Sequence, residues 1–243
     1  MRRLTIGVAP LGEKTYFPEV VATGRREVIV LAVLGFCLLI LTVPRFNRQD
    51  LGLEWITGGQ SPDVHYYIAL VEYFRGETDL SAELRPPFTY RPLVPWVASL
   101  LPFSPITGIN FLNQLFLIVG LIFLYGILSQ LGFKPGLRLL GCSLYVFSFP
   151  TFYYGAIGYV DPVAIGILTA GTWLIVTERW VLLAPVMVVG MAVKETLFLL
   201  LPIAIVVLVA RSRKRRILLA TLLTLLVLAA CLAAFVQEVN VEE

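Results

Sequence analysis

Apolar residues in this chain fall into long blocks rather than alternating with polar ones. The blocks run roughly 28–43, 107–130, 137–153, 161–177, 180–193, 196–210 and 217–236. A weaker block, 91–103, contains Pro92, Pro95 and Pro102. Such blocks predict membrane-crossing helices. Several fall short of the ~20 residues that a perpendicular helix needs to cross about 30 Å, so blurred ends or a locally thin bilayer are expected. Read as one helix, 180–210 would be about 46 Å long and would bury Lys194 and Glu195 at mid-membrane, so a hairpin is predicted there instead. A further helix is predicted over Pro62–Arg75. Pro62 and Asp63 suit its first turn, Ser61 is a candidate cap, and Tyr67, Leu70, Val71 and Phe74 make one face.

Composition agrees with the pattern. The 243 residues are 58% hydrophobic and 14% charged, against about 25% charged in soluble domains. The mean hydropathy is +0.85. Lipid is therefore the expected solvent for most of the chain. Basic residues border apolar blocks and form no stripe with aromatics, which excludes a nucleic-acid partner. Cys37, Cys142 and Cys231 lie inside apolar blocks with neither disulfide nor metal spacing and read as small core residues. No cleavage site follows 28–43, which reads as an uncleaved first span.

Charge sets the expected topology, because loops rich in Lys and Arg stay cytoplasmic. The clusters are Arg2, Arg3, Lys14, Arg25 and Arg26; Lys134 and Arg138; and Arg211, Arg213, Lys214, Arg215 and Arg216. All of them share one side if 91–103 does not cross and seven spans do. Arg45 and Arg48 are a modest exception. The expectation is an all-α membrane protein of about seven transmembrane helices, forming a single domain over 1–243. Residues 1–27 are a cytoplasmic N-terminus, 44–106 an outer loop carrying interfacial helices, and 107–236 the six-helix remainder. Asp63, Asp161 and the Lys194-Glu195 turn then all face outward.

That convergence carries the candidate chemistry. Asp63 lies in Ser61–Tyr67, "SPDVHYY", with His65, the chain's one histidine. It serves either as a helix-start residue or as a reactive carboxylate, with Tyr67 an anchor or a contact. Tyr90 and Arg91 sit in a stiff proline-rich segment, where the guanidinium either snorkels or meets a phosphate. Asp161 in "GAIGYVDP" either caps a helix or joins Asp63, with Tyr153, Tyr154 and Tyr159 along the same approach. Lys194 and Glu195 either pair with each other, or Lys194 meets a lipid phosphate. A carboxylate can deprotonate a hydroxyl or bind a divalent ion, and cations can stabilise a departing phosphate.

These segments resemble the integral-membrane glycosyltransferases of the GT-C class. Asp63 in "SPDVHYY" matches the essential acid of their first outer loop. "YRPLVPWVASLLP", Tyr90–Pro102, looks like the segment that follows it in bacterial members. "YGAIGYVDPVAIGILTAG", Tyr154–Gly171, looks like their second outer loop, and the Lys194-Glu195 pair is similar to a basic position that meets the lipid phosphate. The resemblance spans about 28–236, the seven-span module of that class, whose members usually continue for several more spans.

It implies transfer of a sugar from a polyprenyl-phosphate carrier to an acceptor on the outer face, in a multi-pass protein with a cytoplasmic N-terminus. Asp63 and Asp161 are the expected catalytic residues, and also the metal candidates if a divalent cation serves. His65, Tyr67, Tyr90, Arg91, Lys194 and Glu195 are the expected substrate-binding residues, with membrane lipid and the sugar donor as partners. The alternative expectation is a non-catalytic membrane subunit that binds lipid or protein subunits in a larger complex. A transporter ranks third, since no span carries a charge pair at its middle and no inverted repeat is visible.

Overall fold

A computed structural model describes residues 24–45, 62–79, 91–148, 151, 154–155 and 157–210. The expected span 217–236, the Arg211–Arg216 cluster, Cys231, Tyr90, Tyr153 and the chain before Gly24 lie outside them. The described residues are helical, with no strand: α1 (Arg25–Thr42), α2 (Pro62–Phe74), α3 (Leu93–Ser99), α4 (Pro105–Gln130), α5 (Pro135–Val146), α6 (Asp161–Val176), α7 (Trp180–Met191) and α8 (Leu200–Ala210). Short 3-10 turns cover Val43–Arg45 and Glu195–Leu199. The all-helical expectation holds.

Proline sets several of the starts. Pro105, Pro135 and Pro162 occupy the first turns of α4, α5 and α6, where a missing N–H costs no helical bond. The central seam joins α4 to α6. Gly166 of α6 lies so close to α4 that an added Cβ would come within 2.5 Å of the Phe116 carbonyl oxygen. Farther along, Phe123 packs on Trp173 with ring centroids 5.3 Å apart, so the two helices run in the same direction. The intervening α5 therefore returns antiparallel. Leu34 and Leu38 of α1, Leu117 and Leu121 of α4, and Cys142 and Val146 of α5 form one buried cluster. A larger cluster joins α2, α3, α4, α6, α7 and α8 through residues such as Val71, Ala98, Ile109, Val163, Met187 and Leu200. Cys37 and Cys142 are free thiols.

The seven expected crossings are not supported. One described helix, α4, is long and apolar enough to cross a membrane, with 26 residues and a mean hydropathy of 2.2 over its most apolar stretch. At 1.5 Å per residue, the 12 residues of α5 or α7 span only about 18 Å. The block 137–153 ends early as a helix because the chain turns after Val146. There the Ser148 hydroxyl donates to the Tyr145 carbonyl and shares a 2.9 Å hydrogen bond with Thr151. The break expected at 194–195 is present: α7 ends at Met191 and Lys194 is extended (φ −163°, ψ 137°).

The expected face of α2 is largely buried, with Tyr67, Leu70 and Val71 at 1%, 3% and 0% exposure. The weak block 91–103 holds only the seven-residue α3, far too short to cross. Pro92 is its N-cap and Pro95 lies in its first turn. Its C-terminal end is held by Arg75, which follows the last residue of α2. The Arg75 guanidinium donates to the carbonyls of Leu101 at 3.1 Å and Phe103 at 2.7 Å. A cation there satisfies carbonyls that have no helical partner.

Candidate functional site at one end of the bundle

The starts of α4 and α6 and the break between α7 and α8 meet at one end of the bundle. Polar residues on α4 hold the approach to α6 in place. Asn110, Asn113 and Gln114 are buried at i, i+3 and i+4 on an otherwise apolar helix. The Asn110 carboxamide oxygen accepts from the Gly158 N–H at 2.8 Å, and the Asn113 amide donates to the Tyr159 carbonyl at 2.7 Å. Gly158 has φ +85° and lies against Val64 of α2, so a side chain would be strained and crowded there. Three residues later this loop delivers Asp161 to the first turn of α6. Tyr154 and Tyr159 meet edge-to-face along the same loop, 5.4 Å apart. None of the three carboxamides was singled out in the sequence. The available signal was a stripe of amides on one face of an apolar block, which must find buried partners.

Two ion pairs close the site, and they cross-connect segments far apart in sequence. The Lys194 ammonium lies 2.5 Å from the Asp161 carboxylate. The Arg91 guanidinium grips Glu195 with two nitrogens: Nε lies 2.9 Å from one carboxylate oxygen and Nη2 donates to the other. Its third nitrogen, Nη1, donates to the Tyr67 hydroxyl at 2.9 Å. The expected alternative, Lys194 pairing with Glu195, is not what forms. Asp161 also does not cap α6: the N-cap is Val160, no side-chain cap bond exists, and the carboxylate turns to Lys194 instead.

Burial differs across the pairs. The Arg91 side chain is 8% exposed and that of Glu195 is 60% exposed. Burial pulls the Arg91 value down, but hydrogen bonds to Glu195 and Tyr67 outweigh it and leave the guanidinium held above its ordinary value. For Glu195, burial pushes up, while the hydrogen bond from Arg91 and the charges of Arg91 and Lys194 bring the carboxyl below its usual range. With its three nitrogens engaged, Arg91 is a strut joining α2, the start of α3 and the 194–195 break rather than an open phosphate receptor.

Tyr67, Arg91, Asp161, Lys194 and Glu195 thus come together as a group. His65 does not join them. It is exposed, its ring is tilted against Tyr66 with centroids 6.1 Å apart, and two helical residues put it roughly 200° round α2 from Tyr67. Asp63 is the second residue of α2, one turn before Tyr67; its side chain lies outside the described residues, as does Tyr90. The described donors do not fit a divalent cation. No group of three His, Cys, Asp or Glu residues exists among them, and an ammonium already occupies the Asp161 carboxylate.

At the opposite end of α4 a second polar knot ties α1 to α5. The Tyr125 hydroxyl donates to the Glu27 carboxylate, and the Arg138 guanidinium lies 3.8 Å from the same carboxylate and 3.3 Å from the Tyr125 oxygen. No family model, curated protein or solved structure matches this chain.

Proposed function

We propose that this chain is a membrane-embedded transferase that moves a sugar from a polyprenyl-phosphate carrier to an acceptor hydroxyl at the end of the bundle where Asp161 meets Lys194. The observation that carries this reading is the convergence of Tyr67, Arg91, Asp161, Lys194 and Glu195 from four separate segments, with Tyr67 one helical turn after Asp63 on α2.

The surface supports lipid as the surroundings. Large apolar side chains stand exposed on several helices, among them Phe36 of α1, Ile122 of α4, Leu144 of α5 and Val188 of α7 at 62%, 60%, 66% and 72%. Only 44% of the most apolar stretch of α4 is buried. Apolar area this extensive is costly in water. In this reading α4 crosses the bilayer, the shorter helices pack around it, and the site end faces outward with the N-terminus cytoplasmic.

The chemistry follows from the residues at hand. Lys194 exchanges Asp161 for the carrier phosphate and stabilises the charge that develops on the leaving oxygen. Asp161, released from its ion pair, orients the acceptor. Asp63 takes the proton of the acceptor hydroxyl as its oxygen attacks the sugar's anomeric carbon. The bond to the carrier phosphate breaks as the new glycosidic bond forms, with inversion. Arg91 positions the site through Glu195 and Tyr67.

The test is Asp63→Asn in reconstituted membranes supplied with a labelled polyprenyl-phosphate sugar. Transfer at the wild-type rate, at equal protein level, would remove Asp63 from the mechanism. A second reading has its own support. Both described cations of the site are neutralised by carboxylates, which suits a structural clasp in a non-catalytic membrane subunit. Wild-type protein with no transfer activity, purifying only in a stable complex, favours that reading.

A further inference from the structure

The knot at the far end of the bundle leaves an unbalanced set of charges around it. Glu27 is used by Tyr125 and Arg138, and Arg138 also donates to the Phe133 carbonyl at 2.6 Å. Arg25 and Arg26, in the first turn of α1, are exposed, and so is Lys134, the N-cap of α5. Among the described residues none of these three side chains makes an ion pair or hydrogen bond. The Glu27–Arg138 contact holds the starts of α1 and α5 side by side, so the three cations share one rim.

What lies beneath the rim identifies the partner. One turn on from Arg25 and Arg26, α1 exposes Val28 and Ile29, then Val33 and Phe36. Lys134 stands in the same relation to α5, which exposes Leu137, Leu140 and Leu144. On two adjoining helices the order is therefore the same: uncompensated cations, then a continuous apolar flank. A soluble anion would use the cations alone, and an apolar protein partner the flank alone. A phospholipid uses both, with its phosphate at the rim and its acyl chains along α1 and α5.

We propose that this rim is a binding site for an anionic phospholipid, one whose phosphate carries no compensating ammonium. The inference rests on the membrane reading above but not on the transferase reading. A net negative headgroup offers these cations a counter-charge, whereas a zwitterionic headgroup carries its own ammonium beside its phosphate. A basic residue near an anionic lipid surface contributes about fivefold in affinity, so the rim should favour an anionic over a zwitterionic headgroup by at least about fivefold.

The experiment uses the full chain in a neutral mild detergent, titrated with short-chain phosphatidylglycerol or phosphatidylcholine and read by native mass spectrometry. Wild type is expected to prefer phosphatidylglycerol by at least about fivefold, the Arg25→Gln/Arg26→Gln/Lys134→Gln variant to bind both alike, and the Arg25→Lys/Arg26→Lys/Lys134→Arg variant to retain the preference. Equal binding of both lipids by wild type overturns the proposal without any variant. So does a full preference surviving in the Gln variant, or displacement of phosphatidylglycerol by inorganic phosphate at equal concentration, which would show a free-anion site. A chain that stays monodisperse in buffer without detergent or lipid would instead sink the membrane reading itself.

Discussion

Glu195→Gln isolates the clasp that joins α2 and α3 to the break before α8. The substitution keeps the shape of the side chain and removes its charge, leaving the 8%-exposed Arg91 with Tyr67 as its hydroxyl partner. Removing one partner of a fully buried ion pair costs about 3–5 kcal/mol. Glu195 is 60% exposed, so water screens the pair and part of that cost vanishes; about 2 kcal/mol remains. For a chain of this length each kcal/mol moves Tm by about 2–4 °C, so a fall of about 4–8 °C is expected in mild detergent.

The pH dependence gives a second, independent sign. The folded Glu195 carboxyl titrates below its usual range, because the Arg91 hydrogen bond overcomes the effect of burial. Its contribution is therefore fully present above the ordinary carboxylate value and is lost as pH falls through the lowered folded value. Glutamine cannot titrate, so the gap between wild type and variant should be widest near pH 7 and close in acid. Arg91→Met combined with Glu195→Gln should recover part of the loss, since no buried charge is then left alone. Melting of the single variant within 1 °C or so of wild type at pH 7, or a gap that widens in acid, would refute the reasoning.

Two further outcomes follow from the packing. Gly166→Ala drives a methyl group to 2.5 Å from the Phe116 carbonyl oxygen and should cost at least about 1–3 kcal/mol in thermal unfolding, whereas Gly35→Ala, with nothing within 4 Å, should be neutral or gain up to about 1 kcal/mol from helix propensity. Arg75→Ala strips the carbonyls of Leu101 and Phe103 of their guanidinium, for about 1–2 kcal/mol, and should speed hydrogen exchange at the Leu100 and Leu101 amides that close α3.

What was legible in the sequence was local. Pro105, Pro135 and Pro162 sit in first helical turns, where a missing N–H costs no bond, although Pro185 inside α7 shows that proline alone does not mark a start. The face of α2 was readable because Tyr67, Leu70 and Val71 recur at helical spacing whatever covers them. The break at Lys194-Glu195 followed from the cost of burying two charges in one long helix. That Asp161, Arg91, Lys194 and Glu195 lie together agrees with the expected grouping, although the seven crossings from which that grouping was argued are not supported.

Only the tertiary structure decided which charge meets which. Lys194 is next to Glu195 in the chain, yet it reaches Asp161, and Arg91 crosses 104 positions to take Glu195. Partner choice depends on how α3 packs on α4 and where the 194–195 break falls in space, and neither leaves a periodic trace. The same holds for Arg75, whose acceptors are carbonyls that exist as a set only once α3 has formed. It holds too for Asn110, Asn113 and Gln114, hidden in an apolar block until the 155–159 loop arrives to need them. Helix length, by contrast, was a local matter that hydropathy hides: the apolar block continues past Val146, but Ser148 hydrogen-bonds to Tyr145 and Thr151 and the chain turns there. Apolar composition fixes where a helix is comfortable, while its end depends on polar groups that the hydropathy average does not resolve, and the pairing of distant charges depends on the packed bundle.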